Sequence, residues 1–288
     1  MTWTGDLPPP VMPNGAARAA LAVLRGGLMV LVLGGGLTAL LALRLIEQPL
    51  FGLRRPVTPC ITQGVCRVLL AILGLRLVRH GRPMQGRGAL VANHGSWLDI
   101  LVLNAADRVY FVSKAEVAGW PGIGWLARAT GTVFIRRDRA DAARQKLLFE
   151  ARLRAGHRLL FFPEGTSSDT ARVLPFKSTL FAAFFAPPLR PLLRIQPVSV
   201  VYHAPVGADA RFYGWWGDMG LARHLLAVLG QPRQGWVDLV FHPPRAVADH
   251  ADRKSLATVS EADVRTGWQQ YCRAVPLSAT PPSGRAER

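Results

Sequence analysis

Negative charge is scarce in this chain of 288 residues, and lysine and cysteine are scarcer. Three cysteines (Cys60, Cys66 and Cys272) form no CxxC pair and lie near no histidine at ligand spacing. That excludes a disulfide framework and a structural zinc site, and points to a reducing, cytosol-facing setting. Eighteen acidic residues face 35 basic ones, for a formal charge of +17. Four of the basic residues are lysine (Lys114, Lys146, Lys177 and Lys254), and the other 31 are arginine. Charged residues make up 18% of the chain and apolar ones 50%, which excludes an extended, disordered polyelectrolyte. The chain also lacks internal repeats and any G-x-S-x-G nucleophile elbow.

A cationic surplus of this size suits a polyanionic partner: nucleic acid, an anionic bilayer or a phosphorylated ligand. Part of it can also reflect a compositional preference for arginine. The hydropathy pattern favours the bilayer. Gly26 to Leu43 is a run of 18 residues without charge, closed by Arg25 and Arg44 and extended by Leu45-Ile46. At about 1.5 Å per residue such a helix, over about 26–46, reaches across a hydrocarbon core. A signal peptide is the competing reading, but the run exceeds an ordinary h-region and has no small-x-small cleavage site after it. The triplet Gly34-Gly35-Gly36 weakens the helix in either case. Residues 48–90 then hold seven arginines and no acid, which places this side in the cytoplasm. Residues 65–75 form a second apolar stretch, too short to span and suited to an interfacial helix.

Beyond residue 76 short apolar strands alternate with helical stretches. Strands are expected at Leu75–Val78, Ala89–Ala92, Val109–Val112, Val133–Ile135, Leu159–Phe162, Ile195–Tyr202 and Val237–Phe241. The clearest helix covers 139–155, with Asp138 as its cap and Gly156 at its end. The alternation predicts an α/β fold, a mixed sheet flanked by helices. The expected layout is a tail and membrane helix over 1–57, one folded domain over 58–277, and a flexible tail over 278–288.

Four segments at strand ends carry the polar groups expected of a site. In Asn93-His94-Gly95-Ser96-Trp97-Leu98-Asp99, a strand gives way to a turn and then to a helix starting near Ser96. Asp99 can fold back onto one imidazole nitrogen of His94, fixing its tautomer so that the other nitrogen takes a proton. By itself a His and an Asp five apart is a common accident. Gly131 to Arg137 is a strand ending in Arg136-Arg137, a fork for phosphate or a solvated end of a basic protein. Phe161 to Ser168 is an apolar strand that stops at Pro163 and runs into Glu164, Gly165 and three hydroxyl residues. Gly165 permits close backbone approach, and Glu164 at a buried strand end needs a partner. In Ile195 to Val200, Pro197 predicts a sheet edge or a bulge.

In this order and spacing the four segments resemble the boxes of the glycerolipid acyltransferase family, whose best-known members are bacterial 1-acylglycerol-3-phosphate acyltransferases. His94 to Asp99 looks like its HxxxxD box, and Gly131 to Arg137 like its G-x-x-F-I-x-R box. Phe162 to Thr166 resembles the third box and Gln196-Pro197-Val198 the fourth, over roughly residues 65–245. The resemblance implies acyl transfer without an acyl-enzyme. His94 would take the hydroxyl proton of a lysolipid as that oxygen attacks the thioester of acyl-CoA or acyl-carrier protein, and Asp99 would orient His94. Arg137, helped by Arg136, would hold a head-group phosphate. Glu164, Gly165 and Thr166 would position the acceptor, with backbone amides near Gly165 receiving the oxyanion. It implies no metal, no cofactor beyond the acyl donor, anionic membrane lipids as partners and no nucleic acid. The expected location is a bacterial inner membrane, with the site on the cytoplasmic side.

The chain departs from the commonest family pattern at two places. Ser167 stands where many members have arginine, and Ser178-Thr179 follow Lys177 in place of a glycine. With Asp169, Arg172 and Gly217-Asp218-Met219, these changes look more like the branch that acylates lyso-ornithine lipid. The expected acceptor is therefore lysophosphatidate most simply, with lyso-ornithine lipid as the alternative.

Overall fold

The computed structural model describes residues 3–12, 15–135, 142–187 and 189–273. Seven helices are found among them: α1 (Ala16–Phe51), α2 (Thr58–Leu73), α3 (Asp99–Ala106), α4 (Ile123–Thr130), α5 (Ala142–Arg154), α6 (Leu221–Leu229) and α7 (Arg253–Arg273). The strands are β1 (Arg76–His80), β2 (Gly88–Ala92), β3 (Tyr110–Lys114), β4 (Val133–Ile135), β5 (Arg158–Phe161), β6 (Arg194–His203), β7 (Trp236–Phe241) and β8 (Arg245–Ala246).

Helix α1 is longer than the charge-free run that predicts it. Alanine and leucine carry it through the glycine triplet, and it ends at Gly52, whose φ of 59° no side-chain-bearing residue adopts cheaply. One glycine of the triplet has a packing reason. A Cβ on Gly36 would lie 2.4 Å from Val65 Cγ2, so glycine lets α1 and α2 touch there. At the other end of the pair, buried Glu47 caps α2: Oε1 accepts the N–H groups of Val57 (2.7 Å) and Thr58 (3.0 Å), and Oε2 accepts the Thr58 hydroxyl (2.8 Å). A carboxylate at a helix N-terminus also meets the positive end of the helix dipole. The outer face of α1 remains apolar and exposed, with Val23, Leu24, Val30, Leu31, Leu45 and Ile46 turned away from the domain.

The eight strands form one sheet in the order β1-β7-β6-β2-β5-β3-β4, with β8 added beside β6. Strands β6, β2, β5, β3 and β4 are mutually parallel, and β7 runs antiparallel to β6. Strand β2 lies in the middle and is buried throughout, so its side chains alternate between two cores. Leu90 and Ala92 join Leu160, Val198 and Val200 on the face covered by α1, α2, α3 and α6. Ala89 and Val91 join Leu159, Phe161 and Ile195 on the face closed by α7 and the Phe181–Phe184 stretch. Each buried Leu, Val or Phe contributes about 1.5–3 kcal/mol, and this two-sided burial fixes the strand register.

Pro197 is not at a sheet edge but opposite a bulge, the other placement expected of it: residues 196–197 face the three residues 242–244 between the Val198–Phe241 and Ile195–Arg245 pairs. It lies on an interior strand, paired to Val91 of β2. Its carbonyl accepts the His242 N–H (3.0 Å), so the missing donor faces the connection between β7 and β8, where no ladder partner is required.

Candidate active site

The C-terminal ends of β2, β5 and β6 bring the first, third and fourth segments together. After β2 the chain does not enter a helix at Ser96 as expected; α3 begins at Asp99. The intervening turn is pinned from below. Asn93 extends β2 by its side chain: Nδ2 donates to the Val200 carbonyl and Oδ1 accepts the Val200 N–H, both at 2.8 Å. The His94 carbonyl accepts the Ser168 N–H (2.9 Å), and the Gly95 carbonyl accepts the Trp215 N–H (2.9 Å). A Cβ on Gly95 would come within 2.5 Å of the Thr170 side chain, so only glycine fits.

His94 and Asp99 meet as predicted, Nδ1 to Oδ2, at 2.7 Å. The Asp99 side chain has no solvent exposure, whereas that of His94 retains 20%. Three further donors converge on the carboxylate: the N–H groups of Gly95 (3.0 Å) and Ser96 (3.1 Å) on Oδ2, and the Tyr202 hydroxyl (2.6 Å) on Oδ1. A buried carboxylate requires such compensation. Burial and the Asp99 charge hold the Tyr202 phenol well above its ordinary pKa, so it stays a donor. With Nδ1–H committed to Asp99, Nε2 carries the lone pair. Phe162 stacks on the imidazole at 4.0 Å between ring centroids and 11° between planes, limiting its rotation. Sequence reasoning missed Tyr202 and Phe162 as supports. Tyr202 does fall near the end of β6, next to the end of β2, which a register argument could have found.

The third segment is placed differently from the expectation. Glu164 is only 1% exposed; its Oε1 accepts the Leu174 N–H (3.2 Å), and the carboxyl lies beside the His94 main chain. Burial pushes it well above the ordinary carboxylate range, in the direction that disfavours a second charge beside Asp99. The N–H of Gly165 (φ 72°) donates to the Phe162 carbonyl (3.0 Å) and is committed. The hydroxyl of Thr166 accepts the Trp3 N–H (3.2 Å) from the N-terminal segment. Arg136 and Arg137 lie outside the described residues. Among the described residues no cluster of His, Cys, Asp and Glu could hold a metal ion. An open hollow of about 400 Å³ between α2 and edge strand β1, bordered by Arg67, Leu70 and Arg79, shares no residue with this site.

Residues 76–201 match the family model named Acyltransferase. The chain is 60% identical to a lyso-ornithine lipid O-acyltransferase of Rhodobacter capsulatus over 271 residues, 94% of this chain and 98% of the relative. The chain belongs to the acyltransferase family. It is also 39% identical to a 1-acyl-sn-glycerol-3-phosphate acyltransferase of Neisseria meningitidis over 118 residues, 40% of this chain and 46% of that one. The crystal structure of the acyltransferase PlsC from Thermotoga maritima superposes with a TM-score of 0.66 at 21% identity, covering 90% of this chain and 98% of that chain. It shares the mixed α/β sheet with flanking helices. This acyltransferase is a membrane-associated lysolipid O-acyltransferase, and His94 and Asp99 both lie within the matched span.

Proposed function

We propose that this acyltransferase moves an acyl chain from acyl-CoA or acyl-carrier protein to the free hydroxyl of lyso-ornithine lipid, with His94 as the base. The carrying observation is the 2.7 Å bond between His94 Nδ1 and a buried Asp99, beside an imidazole that stays partly open to solvent. The hydroxyl oxygen attacks the thioester carbonyl while its proton passes to Nε2. The tetrahedral intermediate then collapses, the C–S bond breaks, and His94 returns the proton to the departing thiolate. Asp99 stabilises the imidazolium formed between these steps. No acyl-enzyme is formed. The Gly165 N–H being committed, the oxyanion falls to the main-chain N–H groups of Thr166 and Ser167, which donate to nothing among the described residues. Such a donor contributes about 3–4 kcal/mol to the transition state.

The extent and identity of the Rhodobacter capsulatus match support lyso-ornithine lipid as acceptor. Lysophosphatidate is the second reading, favoured by the Neisseria meningitidis relative, and Arg137 with Arg136 would serve its phosphate. Glu164 supports the His94 turn from within, while Gly165 and Thr166 shape the acceptor side. The exposed apolar face of α1 enters the bilayer. The exposed arginines of residues 48–90 (Arg54, Arg67, Arg79, Arg82 and Arg87) face anionic lipids on the cytoplasmic side of a bacterial inner membrane, each contributing about 1 kcal/mol. Incubating the purified protein with a labelled acyl donor and a lysolipid panel tests this reading. Label is expected in ornithine lipid; label in none of the lysolipids would refute it.

A further inference from the structure

The segment 3–12 has no regular secondary structure, yet it lies across the third-box loop as a strap. The Trp3 N–H holds the Thr166 hydroxyl, the Trp3 carbonyl accepts the Gly217 N–H (3.1 Å), and the Trp3 and Trp216 rings lie 6.3 Å apart. Met12 is buried in the core at the strap's end. Two arginines clasp the strap from the domain side. Arg172 lies over the Trp3 ring at 5.2 Å and reaches Asp6 with Nη1 (2.6 Å). Arg211 donates to the Pro8 carbonyl (3.2 Å) and is itself paired with Asp209 (3.0 Å).

Arg172 is also bound through Nη2 to Asp169 (3.2 Å), so one guanidinium stands between two carboxylates. Those carboxylates are unlike. Asp169 is buried and fixed, with Oδ1 accepting the Ala171 N–H (3.1 Å). Asp6 is 76% exposed and is held by Arg172. An exposed ion pair of this kind exchanges readily. The loop that carries Asp169 and Arg172 is joined to the catalytic turn. Ser168 donates to the His94 carbonyl from its N–H and its hydroxyl, and Thr170 packs on Gly95. Thr170 adopts a φ of 63°, the only positive value for a non-glycine among the described residues, which turns the chain sharply at this point.

We propose that Arg172, Asp169 and the strap residue Asp6 form the acceptor head-group subsite, which selects a zwitterionic head group bearing one carboxylate and one ammonium over a phosphate monoester. Asp6 occupies the place of the substrate carboxylate. On binding, the head-group carboxylate replaces it on Arg172, and Asp169 with the released Asp6 accepts the ammonium. A phosphate monoester would bring up to two negative charges against two carboxylates, with one shared guanidinium between them. This inference rests on the acyl-transfer reading above and adds the residues that choose the acceptor.

The test compares kcat and KM of the full chain for lyso-ornithine lipid and lysophosphatidate at saturating acyl donor. Arg172→Ala is expected to raise KM for lyso-ornithine lipid about tenfold or more with little change in kcat, as loss of a charge-assisted contact made before the transition state. Arg172→Lys should recover part of that loss. Asp169→Asn, which keeps an oxygen for the Ala171 N–H, should shift the ratio of kcat/KM values toward lysophosphatidate by about tenfold. Shifts of equal size for both acceptors, or none, would overturn the subsite while leaving acyl transfer standing. Wild-type transfer to lysophosphatidate alone would do the same. Wild-type transfer to neither acceptor would refute the acyl-transfer reading itself.

Discussion

The turn that holds His94 and the loop that holds Arg172 are neighbours built by opposite means. Around His94 the polar groups are bound to the sheet or to each other: Asn93 to Val200, Asp99 to four donors, the His94 carbonyl to Ser168. Arg172 is anchored on one side by the buried Asp169, but its contacts to the strap are an exposed ion pair and a cation over a ring, beside one hydrogen bond from that segment without regular structure. Rigid support suits a group that must move a proton at a fixed position. Exchangeable pairs suit a surface that must admit and release a head group. On the proposed reading the base serves any acceptor, and the acceptor is chosen beside it.

The contrast can be broken most forcefully at Asp99. Asp99→Asn loses the charge that stabilises the imidazolium, and acyl transfer is expected to fall about 10²-fold or more with both acceptors alike. A selective loss for one acceptor would show that the two regions are not separate. Tyr202→Phe leaves Asp99 Oδ1 without its donor; unfolding free energy should fall by about 1–3 kcal/mol in denaturant titration, with a smaller loss of rate. Acid reaches the scaffold more gradually. Burial lowers both His157 and His224 to about 4, so each is neutral in the fold and binds a proton more readily when unfolded. The contribution of these two histidines is therefore full above pH ~6.5 and declines as the pH falls toward 4, by about 1.4 kcal/mol per pH unit for each. Thermal unfolding across that range measures it. Glu164 has the opposite sign. As an acid raised by burial, it adds stability that is present at low pH and lost as the pH rises past the ordinary carboxylate range. Glu164→Gln should flatten that decline and leave the rate within a few-fold; a loss as large as that of Asp99→Asn would mean that Glu164 acts on substrate as a charged group.

Much of this arrangement was legible in the sequence, because the residues concerned are close along the chain. His94 and Asp99 are five apart, and a strand followed by a turn and a helix brings them together whatever the rest of the fold does. The mixed sheet and the positions of its longer strands followed from apolar runs that alternate with helical stretches. What could not be read depends on pairings between distant residues. Tyr202 meets Asp99 only because β6 lies beside β2 in a particular register. Pro197 left an edge and a bulge open because proline removes a donor; that it faces a bulge between β7 and β8 is a property of three strands at once. The proline-rich opening is irregular, as Pro8-Pro9-Pro10 indicate, but its docking depends on Thr166 and Arg172, some 160 residues away.

The central claim is tested most directly by His94→Ala, in acyl transfer from a labelled thioester to lyso-ornithine lipid, with the variant's thermal unfolding and membrane association measured on the same preparation. The account predicts a folded, membrane-bound protein whose transfer has dropped to background. Transfer at a rate near that of the unaltered chain would contradict it, because the alcohol would then be losing its proton to some other group.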